Sequence, residues 1–210
     1  MEIFTITSGP IETNVYIISC SRTQQAVIID PAPGSADRIF SFIEEKNLKP
    51  QAIWLTHSHW DHIADVSRVK KEYGLDVWVH ELDKENLENP GSDGLVLWLA
   101  IVAVQPDQFF TDGMKLTVGD HTLTVIHTPG HTPGGVCFYS KQEEILFTGD
   151  TLFRGSIGNI SFPTAEPEKM WESIDKLATL PKQTKVYTGH GIETTIGEET
   201  WLPNTREIYQ

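Results

Sequence analysis

The stretch Thr56-His57-Ser58-His59-Trp60-Asp61-His62 restricts this chain more than any other feature, because it sets three histidines and an aspartate within six residues of a chain holding eight histidines in all. It follows a short apolar strand, Ala52 to Leu55, and precedes a helix-like pattern. In extended chain His57 and His59 are alternate residues and face one side. Asp61 and His62 fall at the start of the helix and turn toward a second point. Imidazole and carboxylate donors together suit zinc, iron or manganese. Three further signals lie downstream, each a metal-type ligand at the end of a strand: His131 in Thr128-Pro129-Gly130-His131-Thr132-Pro133-Gly134, Asp150 in Phe147-Thr148-Gly149-Asp150-Thr151, and His190 in Tyr187-Thr188-Gly189-His190-Gly191. Singly, an Asp after Gly reads as a turn former or helix cap, and a His among Gly and Pro as part of a stiff turn. Four strand ends that each present such a residue read instead as one metal site. His80, at a helix start, and His121, in a hairpin turn, stand apart from it. His127 precedes the His131 turn closely enough to support it.

The order of elements is strands and then a helix, twice. Ile3 to Thr7, Asn14 to Cys20 and Gln25 to Asp30 read as strands separated by turn residues. Ser35 is placed to cap a helix with Ile39, Phe42 and Ile43 on one face, and Pro50 stops it. Ile63, Val66, Val69 and Tyr73 predict a helix that ends at Gly74. A second set of strands covers Lys115 to Val118, His121 to His127, Gly135 to Ser140 and Glu144 to Thr148. A helix from Glu166 to Leu180 follows, with Pro167 in its first turn, and then a last strand at Val186-Tyr187. Two sheets packed face to face with helices outside are expected, in one domain over 1–210. Residues 84–112 break the rhythm and read as an insertion carrying a short helix, its apolar run at Leu95 to Val104 able to form a lid, a subunit contact or a satellite of the core.

Composition narrows the partners. The chain has 210 residues and a formal net charge of −13, with no run of Lys or Arg, so it lacks the basic face that grips phosphate backbones or anionic membranes. Its longest apolar run falls short of the roughly 20 residues needed to span a bilayer. The start, Met1-Glu2-Ile3-Phe4, has no basic segment of the signal-peptide kind, and a cytoplasmic protein without nucleic-acid or membrane partners is expected. Cys20 and Cys137 sit in strand-like runs and read as small buried hydrophobes, not a disulfide framework.

The set His57, His59, Asp61, His62, His131, Asp150 and His190 resembles the metallo-β-lactamase superfamily, and the segments around His131, Asp150 and His190 resemble its glyoxalase II (hydroxyacylglutathione hydrolase) branch. The resemblance runs from the first strands to Gly191. It implies a mixed α/β (α+β) fold, a four-layer αββα sandwich with a metal site at one edge of the paired sheets. It implies that His57, His59 and His131 hold one divalent ion, zinc first with iron or manganese as alternatives. Asp61, His62 and His190 would hold a second, Asp150 would bridge the two, and Asp30 would brace the ligand loop. Two dications about 3.5–4 Å apart lower the pKa of a shared water toward 7 and so supply a hydroxide nucleophile at neutral pH. Asp61 and His62 are the side chains expected to serve catalysis with it. A thiolate leaves without a strong general acid, which points to a small-molecule thioester or ester as substrate.

Three departures from that branch stand in the sequence. Full-length glyoxalase II enzymes carry a separate C-terminal helical domain, which is not expected here. Asn159 occupies the position of a basic residue that pairs with a glycine carboxylate, leaving Arg154 as the nearby alternative. The 84–112 insertion adds Leu95, Leu97, Trp98, Leu99 and Ile101. Persulfide dioxygenases, with one iron on two His and one Asp, share the scaffold; the Arg and Asp they carry after the Gly155–Gly158 turn are missing here. Lactonase chemistry is close to that of a thioesterase. A β-lactamase proper usually has Cys where Asp150 stands.

Overall fold

The near-continuous apolar runs of the sequence become strands buried on both faces. This is the pattern expected where sheets are covered by helices on one side and by another sheet on the other. In the computed structural model, which describes residues 1–209, one sheet is formed by β1 (Glu2–Ser8), β2 (Thr13–Ser19), β3 (Gln25–Ile29), β4 (Lys49–Trp54), β5 (Asp76–His80) and β6 (Gln108–Phe110), in that order. β1, β2 and β3 pair antiparallel, and β3 to β6 pair parallel. The parallel half is threaded by α1 (Ala36–Glu45), α2 (Trp60–Ile63), α3 (Val66–Tyr73) and α4 (Lys84–Glu88).

The second sheet has the strands β7 (Lys115–Val118), β8 (His121–His127), β9 (Val136–Ser140), β10 (Ile145–Gly149), β13 (Lys185–Thr188) and β14 (Thr194–Thr195), in the spatial order β14-β13-β10-β9-β8-β7. A two-stranded ribbon, β11 (Leu152–Phe153) with β12 (Ser156–Ile157), lies between β10 and α5 (Pro167–Ala178), and α6 (Thr205–Tyr209) closes the chain.

Alternation along the strands builds three apolar layers. Tyr16, Ile18, Val27, Ile29 and Trp54 of the first sheet meet Phe138, Phe147, Leu123 and Val125 of the second. Ile17, Ile28, Ile53 and Val77 face the other way, onto Ile39 and Ile43 of α1 and Val66 and Val69 of α3. On the far side Cys137, Leu146 and Val186 pack on Met170, Trp171, Ile174 and Leu177 of α5. Each such fully buried aliphatic or aromatic side chain is worth about 1.5–3 kcal/mol over leaving it in water. The result is helix, sheet, sheet, helix, as expected. No helix among the described residues is long and apolar enough to cross a membrane. Both cysteines are buried and free.

Local differences have local causes. Ser35 precedes α1 but its hydroxyl caps nothing; the Ala36 amide donates instead to Asp65 Oδ2 at 2.8 Å. The helix expected from Ile63 to Gly74 is broken at Ala64-Asp65, where Asp65 turns to that task, and Gly74 ends α3 in the left-handed conformation. Pro50 lies inside β4, beside the shift in register against β3, and α1 ends before it, at Glu45. The short helix of the 84–112 segment is α4, and the apolar run after it is not helical. Leu95 to Ile101 runs without regular hydrogen bonding, its residues alternating between half-buried and exposed. Apolar residues at nearly every position hide that two-residue period.

Candidate metal centre

The strand ends that carry the candidate ligands meet at one edge of the sandwich. His57 and His59 lie in the loop leaving β4, Asp61 and His62 on α2, His131 in the turn from β8 to β9, Asp150 directly after β10, and His190 directly after β13. Backbone bonds join the two sheets here: the Val136 amide donates to Thr56 O at 2.8 Å and the Asn14 amide to Gly189 O at 2.8 Å.

The ligand atoms of His57, His59 and His131 all lie within 4.8 Å of one another, and so do those of Asp61, His62 and His190. Asp150 stands between the two groups: its Oδ1 is 3.3 Å from His62 Nε2, and its Oδ2 is 3.4 Å from both His131 Nε2 and His190 Nε2. Asp61 Oδ2 is 3.2 Å from His62 Nε2 and 3.3 Å from His190 Nε2. Five of the seven are buried to 5% exposure or less, and His190, at 23% of its side chain, gives the centre its open side.

Close packing demands glycine around Asp150. A Cβ on Gly189 would sit 2.1 Å from Asp150 Oδ1, and one on Gly158 would sit 1.9 Å from Asp150 O and 2.9 Å from His131 Nδ1.

The outer nitrogens of four of the five rings are tied to oxygens. His131 Nδ1 donates to Asn159 O at 2.8 Å, His190 Nδ1 to Ile11 O at 3.0 Å and His62 Nδ1 to Asp30 Oδ2 at 2.9 Å. Thr56 Oγ1 donates to Asp30 Oδ2 and so accepts from His57 Nδ1 at 3.1 Å. A carbonyl or carboxylate can only accept, so Nδ1 carries the hydrogen and Nε2 is turned inward, the arrangement that orients histidine for a metal. Asp30 performs the bracing expected of it. It holds a left-handed backbone, φ 52°, while its carboxylate also takes the Thr56 amide at 2.7 Å. The grouping of Asp30 with His57 and His62 is this brace, built on outer nitrogens already in use.

The inner atoms are a different matter. His57 Nε2, His59 Nε2, His62 Nε2, His131 Nε2 and Asp150 Oδ1 are buried without a hydrogen-bond partner. Buried polar atoms are ordinarily satisfied, and five orphans aimed at one space fit divalent cations well.

The electrostatics agree. Burial first, then the neighbouring His62, holds His57 well below the ordinary histidine range; burial and then His131 push His59 down to about 3. Both rings are therefore neutral, as ligands must be. Burial also opposes a proton on His62, yet the Asp61, Asp150 and Asp30 carboxylates raise it well above its usual value. His190 likewise rises to about 9 against burial, through Asp150 and Asp61. Burial alone would raise Asp61 and Asp150; His62 and His190 keep both well below the carboxylate range instead. Histidine protons here balance charge that metal ions would otherwise balance.

Several supporting residues carry no signal in the sequence. Asp83, after β5, is buried and accepts from the Ser58 amide at 2.9 Å, Thr132 Oγ1 at 2.9 Å and the Gly134 amide at 2.6 Å, joining the His57–His59 loop to the His131 turn. Thr13 Oγ1 donates to Asp61 Oδ2 at 2.7 Å. Asn86 and Asp93 lie behind His59. Asn159 serves His131 through its carbonyl, while its side chain accepts from the Ser161 amide at 2.7 Å. Arg154 is exposed and lines an open groove beside Lys185, Tyr187 and Ile192. His127 stacks on His80 and donates to Pro133 O at 3.0 Å, holding the His131 turn from outside the centre.

Comparison with known proteins follows the same lines. The family model of the metallo-beta-lactamase superfamily matches residues 8–190. Hydroxyacylglutathione hydrolase GloC of Haemophilus influenzae is 37% identical over 201 residues, covering 89% of this chain and 94% of its own. The crystal structure of BLEG-1 B3 metallo-beta-lactamase superposes with a TM-score of 0.88 at 35% identity over 100% of both chains. That of TTHA1623 in a di-iron-bound form superposes with a TM-score of 0.82 at 36% identity, over 93% of this chain and 96% of the other.

Proposed function

The chain belongs to the metallo-beta-lactamase superfamily, and from that membership we propose that it is a binuclear metallohydrolase of small-molecule thioesters in the cytoplasm, with S-2-hydroxyacylglutathiones the first class to test. The observation that carries this reading is the convergence of seven donors with five buried, unpartnered atoms on one space. His57, His59 and His131 would hold one ion, Asp61, His62 and His190 the other, with Asp150 shared. When bound, two divalent ions acidify a water molecule and polarise a carbonyl group. Zinc suits the donor set, and the di-iron relative makes iron the alternative.

The protein's own groups do the rest. Asp30, Asn159 O and Ile11 O fix the ring orientations. Thr13 donates to Asp61 Oδ2 and so fixes that carboxylate beside His62 and His190. His62, its Nδ1 fixed by Asp30, presents Nε2 beside Asp61 Oδ2 and Asp150 Oδ1. The Phe162 ring, 5.4 Å from His59 and 5.6 Å from His131 by ring centroids, shields that half from water. A thiolate departs unaided, so an acid on the leaving group is not required.

The likeness to GloC supports the glutathione thioester. The full-length likeness to BLEG-1 supports a second reading, cleavage of a β-lactam amide at the same centre. The test is metal content by mass spectrometry on native protein, followed by S-lactoylglutathione, simple thioesters, a lactone and a cephalosporin. Two ions per chain and thioester turnover that is lost in Asp150→Ala are expected. A fully loaded sample that cleaves no acyl-glutathione overturns the thioesterase reading. One iron per chain with oxygen uptake on glutathione persulfide would overturn the hydrolase.

A further inference from the structure

The connection between β5 and β6 delivers one more buried carboxylate to the metal centre, beyond the seven donors. Asp93 is 7% exposed, and its Oδ2 lies 4.0 Å from His59 Nε2. Its position is built. Asn86 Nδ2 donates to Asp93 Oδ2 at 2.9 Å, and the Leu95 amide donates to Oδ1 at 2.9 Å. Asn86 also donates to Ser58 O at 2.5 Å and accepts from the Gly91 amide at 2.9 Å. The loop that carries Asp93 is thus moored to the residue between His57 and His59.

Two features point past a structural role. A buried carboxylate ordinarily faces a cation, and His59 is the sole ion-pair partner of Asp93 among the described residues. At 4.0 Å it is out of hydrogen-bond range, and His59 Nε2 is itself buried without a partner. His59 Nε2 is thus left for a third body, with the Asp93 carboxylate held beside it by Asn86 and the Leu95 amide. The charge count of the two halves agrees. The Asp61, His62 and His190 half owns a carboxylate and shares Asp150. The His57, His59 and His131 half owns three imidazoles and no carboxylate of its own, and shares Asp150. Asp93 gives the second half the negative charge it lacks.

We propose that Asp93 is a positioning residue for the ion held by His57, His59 and His131, its carboxylate equalising the hold of the two halves on their ions. The inference rests on the binuclear reading above. Its test is a titration of metal-free protein with zinc against a chromophoric chelator, which resolves two dissociation constants. In Asp93→Asn one constant is expected to weaken by about 10–100-fold, the range for loss of a supporting group, while the other stays within about threefold. Asp93→Ser, smaller and equally neutral, gives the same reading if the Asn variant does not fold. Both constants unchanged, or both weakened alike, overturns the proposal, the latter reporting a distorted loop. If wild-type protein takes up fewer than two zinc ions, the binuclear reading fails first, and the variants are not needed to see it.

Discussion

Replacing Asp83 by Ala should cost about 3 kcal/mol of stability in metal-free protein. The carboxylate accepts from two backbone amides, those of Ser58 and Gly134, and from Thr132 Oγ1. The hydroxyl can rotate to another acceptor; the amides cannot. Each buried amide left without an acceptor costs about 1–3 kcal/mol, so two cost roughly 2–6. Against this, Asp83 is itself buried, and burial raises its carboxyl above the usual range; removing a desolvated charge returns part of the loss, which brings the net to about 3 kcal/mol. For a chain of this size each kcal/mol moves the melting temperature by about 2–4 °C, so differential scanning calorimetry should show a fall of roughly 6–12 °C. Asp83→Asn keeps one acceptor oxygen and should lose about half as much. Because the three donors flank His57, His59 and His131, zinc affinity should weaken in both variants. A melting shift under about 2 °C in the Ala variant, with zinc affinity unchanged, would refute the idea that this carboxylate holds the two ligand loops together.

Gly189→Ala places a methyl group 2.1 Å from Asp150 Oδ1; expressed protein should carry fewer metal ions per chain by mass spectrometry while keeping its far-UV circular dichroism. Burial raises the Cys137 thiol to about 11, so iodoacetamide at pH 8 should leave it unmodified in native protein and label it in urea, as peptide mass spectra would show. His80, half-buried against His127, is held down to about 4. Its neutral form is favoured by the fold, so its contribution to stability is complete above about pH 6.5 and is lost as pH falls toward 4. Urea titrations of wild type and His80→Gln should differ by a constant amount above pH 7 and shift in favour of the variant between pH 6.5 and 4.

The ligand candidates and the layered architecture were legible for one reason. Histidine and aspartate beside Gly and Pro at strand ends are conspicuous against apolar strands, and strands buried on both faces leave unbroken apolar runs. What could not be read depends on contacts between distant segments. Asp83 and Asn86 look like ordinary polar residues after a strand, and only the fold brings them to Ser58 and the His131 turn. Thr13 opens a strand and gives no hint of Asp61, 48 residues on. The short helix expected within 84–112 is α4, but its place there could not be read, because the uniform apolarity of Leu95 to Ile101 masks whether a chain repeats every two residues or every 3.6. Ser35 was read as a cap from its type alone, whereas Asp65, from another helix, took the amide.

His190 is held by some of the first residues of the chain: its ring donates to Ile11 O, and its backbone bridges to Thr13. During synthesis at about 5–20 residues per second, roughly ten to thirty-five seconds separate the emergence of that clasp from the arrival of the last donor. A nascent chain that has not yet reached His190 therefore carries six of the seven donors, with the corner that Ile11 and Thr13 clasp still open.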